Sequence, residues 1–216
     1  GPTYPPYISY TKFFDGKPVA YETIEKEGWT PNIDDLRSKI SPKTKAIVIT
    51  NPNNPTGSVY SAKMIKEMLD IAGEHNLPVV SDEIYDQLTY EKEFVSAAHL
   101  TKDVPVIGLN GFSKVYQMTG WRLGWLAAPA WAMPALERLA QNLFLAASTP
   151  AQHAALAAFS PTTLDQLEVR KAELRARRDF LLPALRERGF AIPVTPQGAF
   201  YLYADCSRFT RDSHAF

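Results

Sequence analysis

The sequence predicts an α/β fold: a mostly parallel sheet flanked by helices, followed by the beginning of a smaller α+β C-terminal unit. Three observations carry this. Short apolar runs recur at KAIVIT (45–50), LPVVSDEIYD (77–86) and PVIGLNGFSK (105–114), the pattern of strands buried on both faces. An amphipathic stretch, SAKMIKEMLDIAGEHN (61–76), separates the first two, which gives the strand–helix–strand order of a parallel crossover. From Trp131 onward the pattern is mainly helical, then alternates again at GAFYLYAD (198–205).

Taken in order, the chain opens in a Pro/Tyr-rich turn, GPTYPPY. KPVAYETI (17–24) alternates and contains β-branched residues, so it reads as a strand. TPNIDDLRSKI (30–40) reads as a short helix, with Thr30 as N-cap and Pro31 at the first helical position. KAIVIT is the first buried strand. In the helix that follows, Ser61 is the cap, and Met64, Met68, Leu69, Ile71 and Ala72 share one face. LPVVSDEIYD and PVIGLNGFSK are the second and third strands, and RLGWLAAP (122–129) the fourth. Pro161-Thr162-Thr163 opens a long amphipathic segment through Arg188, and GAFYLYAD is a strand of the second unit. The expected division is residues 1–160 for the large unit and 161–216 for a connecting helix and the start of the small one.

Composition narrows the function classes. The 216 residues are 45% hydrophobic and 21% charged, with 23 Lys plus Arg against 23 Asp plus Glu. That zero balance argues against a general nucleic-acid or membrane-surface role. No stretch approaches ~18 uninterrupted apolar residues, so no membrane span is expected. The lone Cys206 has no partner for a disulfide, and a reducing cytoplasm is the expected location. The four histidines share no metal-ligand spacing. The N-terminus has no signal-peptide pattern, and continuation of the chain is expected at both ends. Residues 1–120 hold 11 lysines and one arginine, and residues 121–216 hold one lysine and 10 arginines. Such sorting reads as two compositional backgrounds meeting near residue 120. The aromatic residues Trp121, Trp125, Trp131 and Phe144 read as core or dimer surface.

Three of the predicted strands end in chemically loaded turns. NPNNPTG (51–57) supplies Asn54, SDEIYD supplies Asp82 and Tyr85, and NGFSK supplies Ser113 and Lys114. In open α/β sheets ligands sit at the carboxyl ends of strands, so residues far apart in sequence share one rim. A lysine there can form a Schiff base with a carbonyl. A carboxylate can hold a pyridinium N–H, and an amide with a phenol can hydrogen-bond a phenolic oxygen. Ser113 and Arg122 can take a phosphate, Arg122 through its planar fork. Singly, each has a plainer use: a turn asparagine, a helix-capping aspartate, a solvated lysine, a packed tyrosine, an ion-paired arginine. Their convergence on one rim favours the site.

NPNNPTG, then SDEIYD, then NGFSKVYQMTGWRLGW resemble, in this order, the class I/II aminotransferases of pyridoxal phosphate fold type I. The resemblance runs from PTYPPY to PQGAFYLY. It implies pyridoxal 5'-phosphate as cofactor, an amino acid and a 2-oxo acid as substrates, and a homodimer. It implies that Lys114 forms the Schiff base and then shuttles a proton, and that Asp82 pairs with the ring nitrogen. It implies that Asn54 and Tyr85 bind the ring hydroxyl oxygen, that Ser113 and Arg122 bind the phosphate, and that Tyr4 stacks on the cofactor face. It also implies a cis peptide at Asn54–Pro55. Lyases and synthases share these motifs, and a non-catalytic cofactor-sensing or truncated module is the alternative from another class.

Overall fold

The computed structural model describes residues 1–216. Its centre is a four-stranded sheet in sequence order: β3 (Ile47–Thr50), β4 (Val79–Asp82), β5 (Val106–Gly111) and β6 (Gly124–Ala127). Ahead of it lie α1 (Pro5–Phe13), the two-residue strands β1 (Thr23–Ile24) and β2 (Thr30–Pro31), and α2 (Ile33–Lys39). The β3–β4 and β4–β5 pairs are parallel, and β6 runs antiparallel on the open edge of β5. Homologous positions along β3 and β4 lie side by side, Thr50 opposite Asp82. The loaded turns after these strands therefore emerge at the same edge.

The crossover from β3 to β4 is α3 (Ala62–Glu74). Ser61 caps it by accepting from the Met64 N–H, and Asn76 leaves it in the left-handed conformation, φ 53°, a usual helix exit. Its buried residues are Ile65, Met68, Leu69, Ile71 and Ala72. Met64 is only half-buried, and Ile65 takes the inner position. This face packs with Ile47, Ile49, Val79 and Leu36 of α2 into the main core.

Four expectations are corrected. The N-terminal Pro/Tyr stretch is not merely a turn. Pro5 and Pro6 start α1, where a fixed φ and a missing N–H suit the first helical turn. The predicted strand over 17–24 shrinks to Thr23–Ile24, which pairs antiparallel with Thr30–Pro31. That pairing holds Thr30 extended, so Asn32 becomes the cap of α2, accepting from the Asp35 N–H at 3.1 Å. GAFYLYAD forms no strand and makes only isolated pairings, at Gly198 and at Asp205. A strand needs a neighbour, and the 197–199 backbone instead hydrogen-bonds the Gly57 and Leu88 carbonyls.

After β6 come α4 (Met133–Leu143), α5 (Thr149–Ala158) and α6 (Pro161–Glu187). Ser160 caps α6 by accepting from the Thr163 N–H. Leu167 of α6 joins Tyr85, Leu88, Val115 and Ala199 in a second core cluster. Farther along the helix, Arg178 is nearly buried. It holds Glu91 through both terminal nitrogens at 2.6 and 2.8 Å, donates to the Pro196 carbonyl at 2.7 Å, and lies over the Tyr90 ring. These contacts lock α6 and the 196–201 segment onto the turn after β4.

Candidate active site

The NPNNPTG turn divides its three asparagines between structure and site. Asn51 accepts the Tyr60 N–H at 2.8 Å, and Asn53 accepts the Thr56 hydroxyl at 2.8 Å. Both are buried and build the turn. The peptides Asn51–Pro52 and Asn54–Pro55 are both cis; the sequence reading named only the second. Gly57 is required at its position. Its φ is +69°, and a Cβ there would lie 2.5 Å from the Pro196 side chain. The Pro196–Gly198 segment presses on this turn, and the Gln197 and Gly198 N–H groups both donate to the Gly57 carbonyl.

Asn54 is left with its amide directed outward. Its Nδ2 donates to the Tyr201 hydroxyl at 3.2 Å, and the Tyr85 hydroxyl bonds the same Tyr201 oxygen. Tyr85 is buried and edge-on to Tyr201 and to Phe200. Burial pushes its phenol well above the usual range, with the Tyr201 bond next and Asp82 and Tyr4 adding to it. Asp82 ends β4, and its Oδ2 accepts the Tyr7 hydroxyl at 2.6 Å while Oδ1 accepts the Ile84 N–H at 3.3 Å. Burial raises the Asp82 carboxyl above its ordinary value, and those two donors oppose the rise. Tyr4, at the start of α1, packs edge-on to Tyr7 with ring centroids 6.1 Å apart.

Ser113, Lys114 and Arg122 occupy the adjoining turn after β5. The Thr119 hydroxyl donates to the Ser113 carbonyl at 2.8 Å, and Arg122 donates to the Thr119 carbonyl at 3.0 Å. Arg122 is exposed and left-handed, φ 52°. Lys114 is half-buried and belongs to none of the ion pairs. With Ser113 it lines a cavity of about 250 Å³ closed by Leu88, Phe200, and Leu167 and Arg170 of α6. Phe200 also packs edge-on to the Tyr85 ring, with centroids 5.3 Å apart. A larger cavity of about 810 Å³ opens on the β5–β6 side, among Glu83, Asp86, Asn110 and Trp125. It includes none of the candidate cofactor-site residues.

Two residues at this site were not assigned from sequence, Tyr7 and Tyr201. Tyr7 sits three positions after Tyr4 in a tyrosine-rich helix, where sequence alone does not say which ring points inward. Tyr201 comes from a segment read as a strand of the second unit. Only the docking of Pro196–Ala199 on two distant turns brings it here.

A mostly parallel sheet flanked by helices, with an amide, a carboxylate and a phenol gathered at its strand ends, is the architecture of the pyridoxal-phosphate-dependent transferases. The model of the family "Aminotransferase class I and II" matches residues 1–215. The chain belongs to that family, which is pyridoxal-phosphate-dependent. It is 38% identical over 209 residues to an alanine aminotransferase of Mycobacterium tuberculosis, covering 94% of this chain and 49% of that one. It is 37% identical over 218 residues to the glutamate-pyruvate aminotransferase AlaA of Escherichia coli, covering 96% and 54%. Among solved structures, the alanine aminotransferase from Pyrococcus furiosus superposes with a TM-score of 0.89 at 49% identity, covering 95% of this chain and 53% of that one. The aspartate aminotransferase of Thermus thermophilus with maleate gives 0.95 at 34% identity, covering 100% and 56%. The chain thus spans about half the length of the relatives it matches. The family match runs across residue 120 without a break, so the lysine-to-arginine change marks no change of fold.

Proposed function

We propose that the protein carrying this chain moves an amino group between an amino acid and a 2-oxo acid, with pyridoxal phosphate held at the strand ends. One observation carries the reading: Asn54 and Tyr85 bond the same phenolic oxygen, that of Tyr201. The ring hydroxyl of the cofactor is a phenolic oxygen too, so the donor set fits the group. When bound, pyridoxal phosphate supplies an electron sink for the carbon that loses its proton.

The chain's own residues do the rest. Asp82 would accept from the ring nitrogen, in a partly buried setting that strengthens such a hydrogen bond. Asn54 and Tyr85 hold the ring hydroxyl oxygen. Ser113 and Arg122 would hold the phosphate. Tyr4 covers the ring face. Lys114 would hold the cofactor through its amine and would serve as the base that takes a proton from the substrate carbon. General acid–base help of this kind contributes roughly 10²–10⁴-fold. In this reading residues 1–160 hold the cofactor and residues 161–216 supply the connecting helix and the start of the small unit. The exposed Trp125, Leu139 and Leu143 support a homodimer, and the free Cys206 supports a cytoplasmic location. No helix is long and apolar enough to cross a membrane.

The test is a visible absorbance spectrum of the intact protein with pyridoxal phosphate, followed by a panel of amino donors with 2-oxo acid acceptors. A band that shifts with amino acids, with transfer and no free ammonia, is the expected result. Lys114→Ala is expected to remove the band and reduce transfer to background. Ammonia release in place of transfer overturns the reading.

A further inference from the structure

Resting on the function proposed above, we propose that the Tyr201 hydroxyl competes with the cofactor's ring hydroxyl for Asn54 and Tyr85, so that the segment carrying Tyr201 withdraws as the cofactor seats. The competition follows from where the donors aim. Asn54 Nδ2 donates to the Tyr201 oxygen at 3.2 Å, and the Tyr85 hydroxyl bonds the same oxygen. These are the two groups that would hold the ring hydroxyl, and they converge on one point, where one oxygen fits. Burial keeps the Tyr85 phenol well above its usual range, so it retains its single hydrogen and serves one acceptor at a time. The apparent Kd for the cofactor is then the intrinsic one divided by the fraction of molecules whose donors are free.

The build of the segment suits it to move. Its entry is fixed: the Gly198 N–H donates to the Gly57 carbonyl, the Ala199 N–H to the Leu88 carbonyl, and the Tyr90 hydroxyl to the Ala199 carbonyl. Its exit is fixed by the pairing of Asp205 with Ala191. Between these anchors, residues 200–204 belong to no helix or strand and enter no backbone–backbone hydrogen bond. Phe200 and Tyr203 are exposed, so little apolar burial holds the stretch down. The two hydrogen bonds of Tyr201, with its ring edge-on to Tyr85 at 5.6 Å, tie it to the strand ends. The competing role is supportive: Tyr201 stays seated and donates to the Tyr85 oxygen, which leaves the Tyr85 hydrogen for the cofactor. The two roles give opposite outcomes when the Tyr201 oxygen is removed.

The experiment titrates the intact protein, followed by absorbance, with pyridoxal phosphate and with its 3-deoxy analogue, which lacks the ring hydroxyl. Tyr201→Phe keeps the ring and removes the oxygen. It is expected to tighten pyridoxal phosphate binding about fivefold, within what one neutral hydrogen bond contributes. The analogue makes no demand on Asn54 or Tyr85, and its affinity is expected to stay at the wild-type value. Tyr201→Leu, equally without the oxygen, is expected to repeat the gain, and the melting temperature of each cofactor-free variant shows whether it is folded. Unchanged or weaker pyridoxal phosphate binding in the folded variants overturns the proposal. So does an equal gain for both probes, because that is relief of crowding and not competition for the donors. If the wild type forms no Lys114-dependent absorbance band with pyridoxal phosphate, the functional reading itself fails. If the band forms and removing the Tyr201 oxygen brings no gain, only the role of Tyr201 fails.

Discussion

The β3–α3–β4 unit and the β6–α4 region are built from similar apolar patterns and end in opposite states. In the first, Met68, Leu69, Ile49 and Val79 are fully buried. In the second, all four residues of β6 are exposed and α4 buries none. Trp125 is 49% exposed and Leu139 is 54% exposed. Amphipathic periodicity states that a face needs cover, and it does not say which segment supplies it. β3, α3 and β4 cover one another because they are consecutive and the crossover helix returns onto its own strands. β6 is an edge strand of the sheet and α4 follows it, and neither has a fully buried residue. The site follows the closed region: Asn54 and Asp82 leave strands whose backs are packed, which fixes the turns that carry them.

This contrast can be broken by measurement. The largest effect is expected at its closed end. Met68→Ala removes a fully buried side chain and is expected to lower unfolding free energy by about 2–5 kcal/mol, read from the denaturant midpoint. A cost under about 1 kcal/mol would mean that the α3 core is not the rigid support argued here.

A smaller effect is expected where α6 is pinned. Glu91→Gln weakens the bidentate grip on Arg178, whose side chain is only 8% exposed, and leaves Asp179, 2.7 Å away, as its remaining acidic partner. Because Glu91 is partly solvent-exposed, the expected cost is about 1–3 kcal/mol rather than the larger penalty of a fully buried pair. The hydrogen bond from Arg178 holds the Glu91 carboxyl below its ordinary value. A lowered acid pKa adds stability above the unfolded value and loses it as pH falls through the folded one. The difference between wild type and Glu91→Gln is therefore expected to shrink on acidification below the ordinary glutamate range. A difference that persists at low pH would detach it from this ion pair.

The smallest effect is expected in the open region. Leu139→Ala on α4 is expected to change the chain's stability by no more than about 0.5 kcal/mol, although it deletes more side chain than many damaging core changes. A loss as large as that of Met68→Ala would show that α4 already has cover within this chain, and the contrast between the regions would fall.

Particular residues show what was legible in advance. The runs 45–50, 77–86 and 105–114 each contain one strand of the sheet; β3 and β4 are mostly buried, as an apolar run predicts, while β5 is fully buried only at Gly111. Ser61 is the cap that its position predicts, since a hydroxyl ahead of an apolar period has a local N–H to satisfy; the Ser160 cap of α6 was not assigned from sequence. Thr30 failed as a cap because β1 pairs with it, and GAFYLYAD failed as a strand because its backbone groups bond two turns instead. The motif residues Asn54, Asp82 and Tyr85 were visible because each ends or follows an apolar run. Tyr7 and Tyr201 were not, because nothing local separates an inward tyrosine from an outward one.

By itself, then, the sequence determined the strand–helix order, the family and the chemical types at each strand end, since these depend on local periodicity and on short motifs. Tertiary structure alone decided which oxygen each donor meets. Asn54 and Tyr85 share the Tyr201 hydroxyl, and Asp82 takes that of Tyr7, across separations of 147, 116 and 75 positions. Such pairings depend on how packed elements orient side chains over long loops, and no local signal in the chain encodes that orientation.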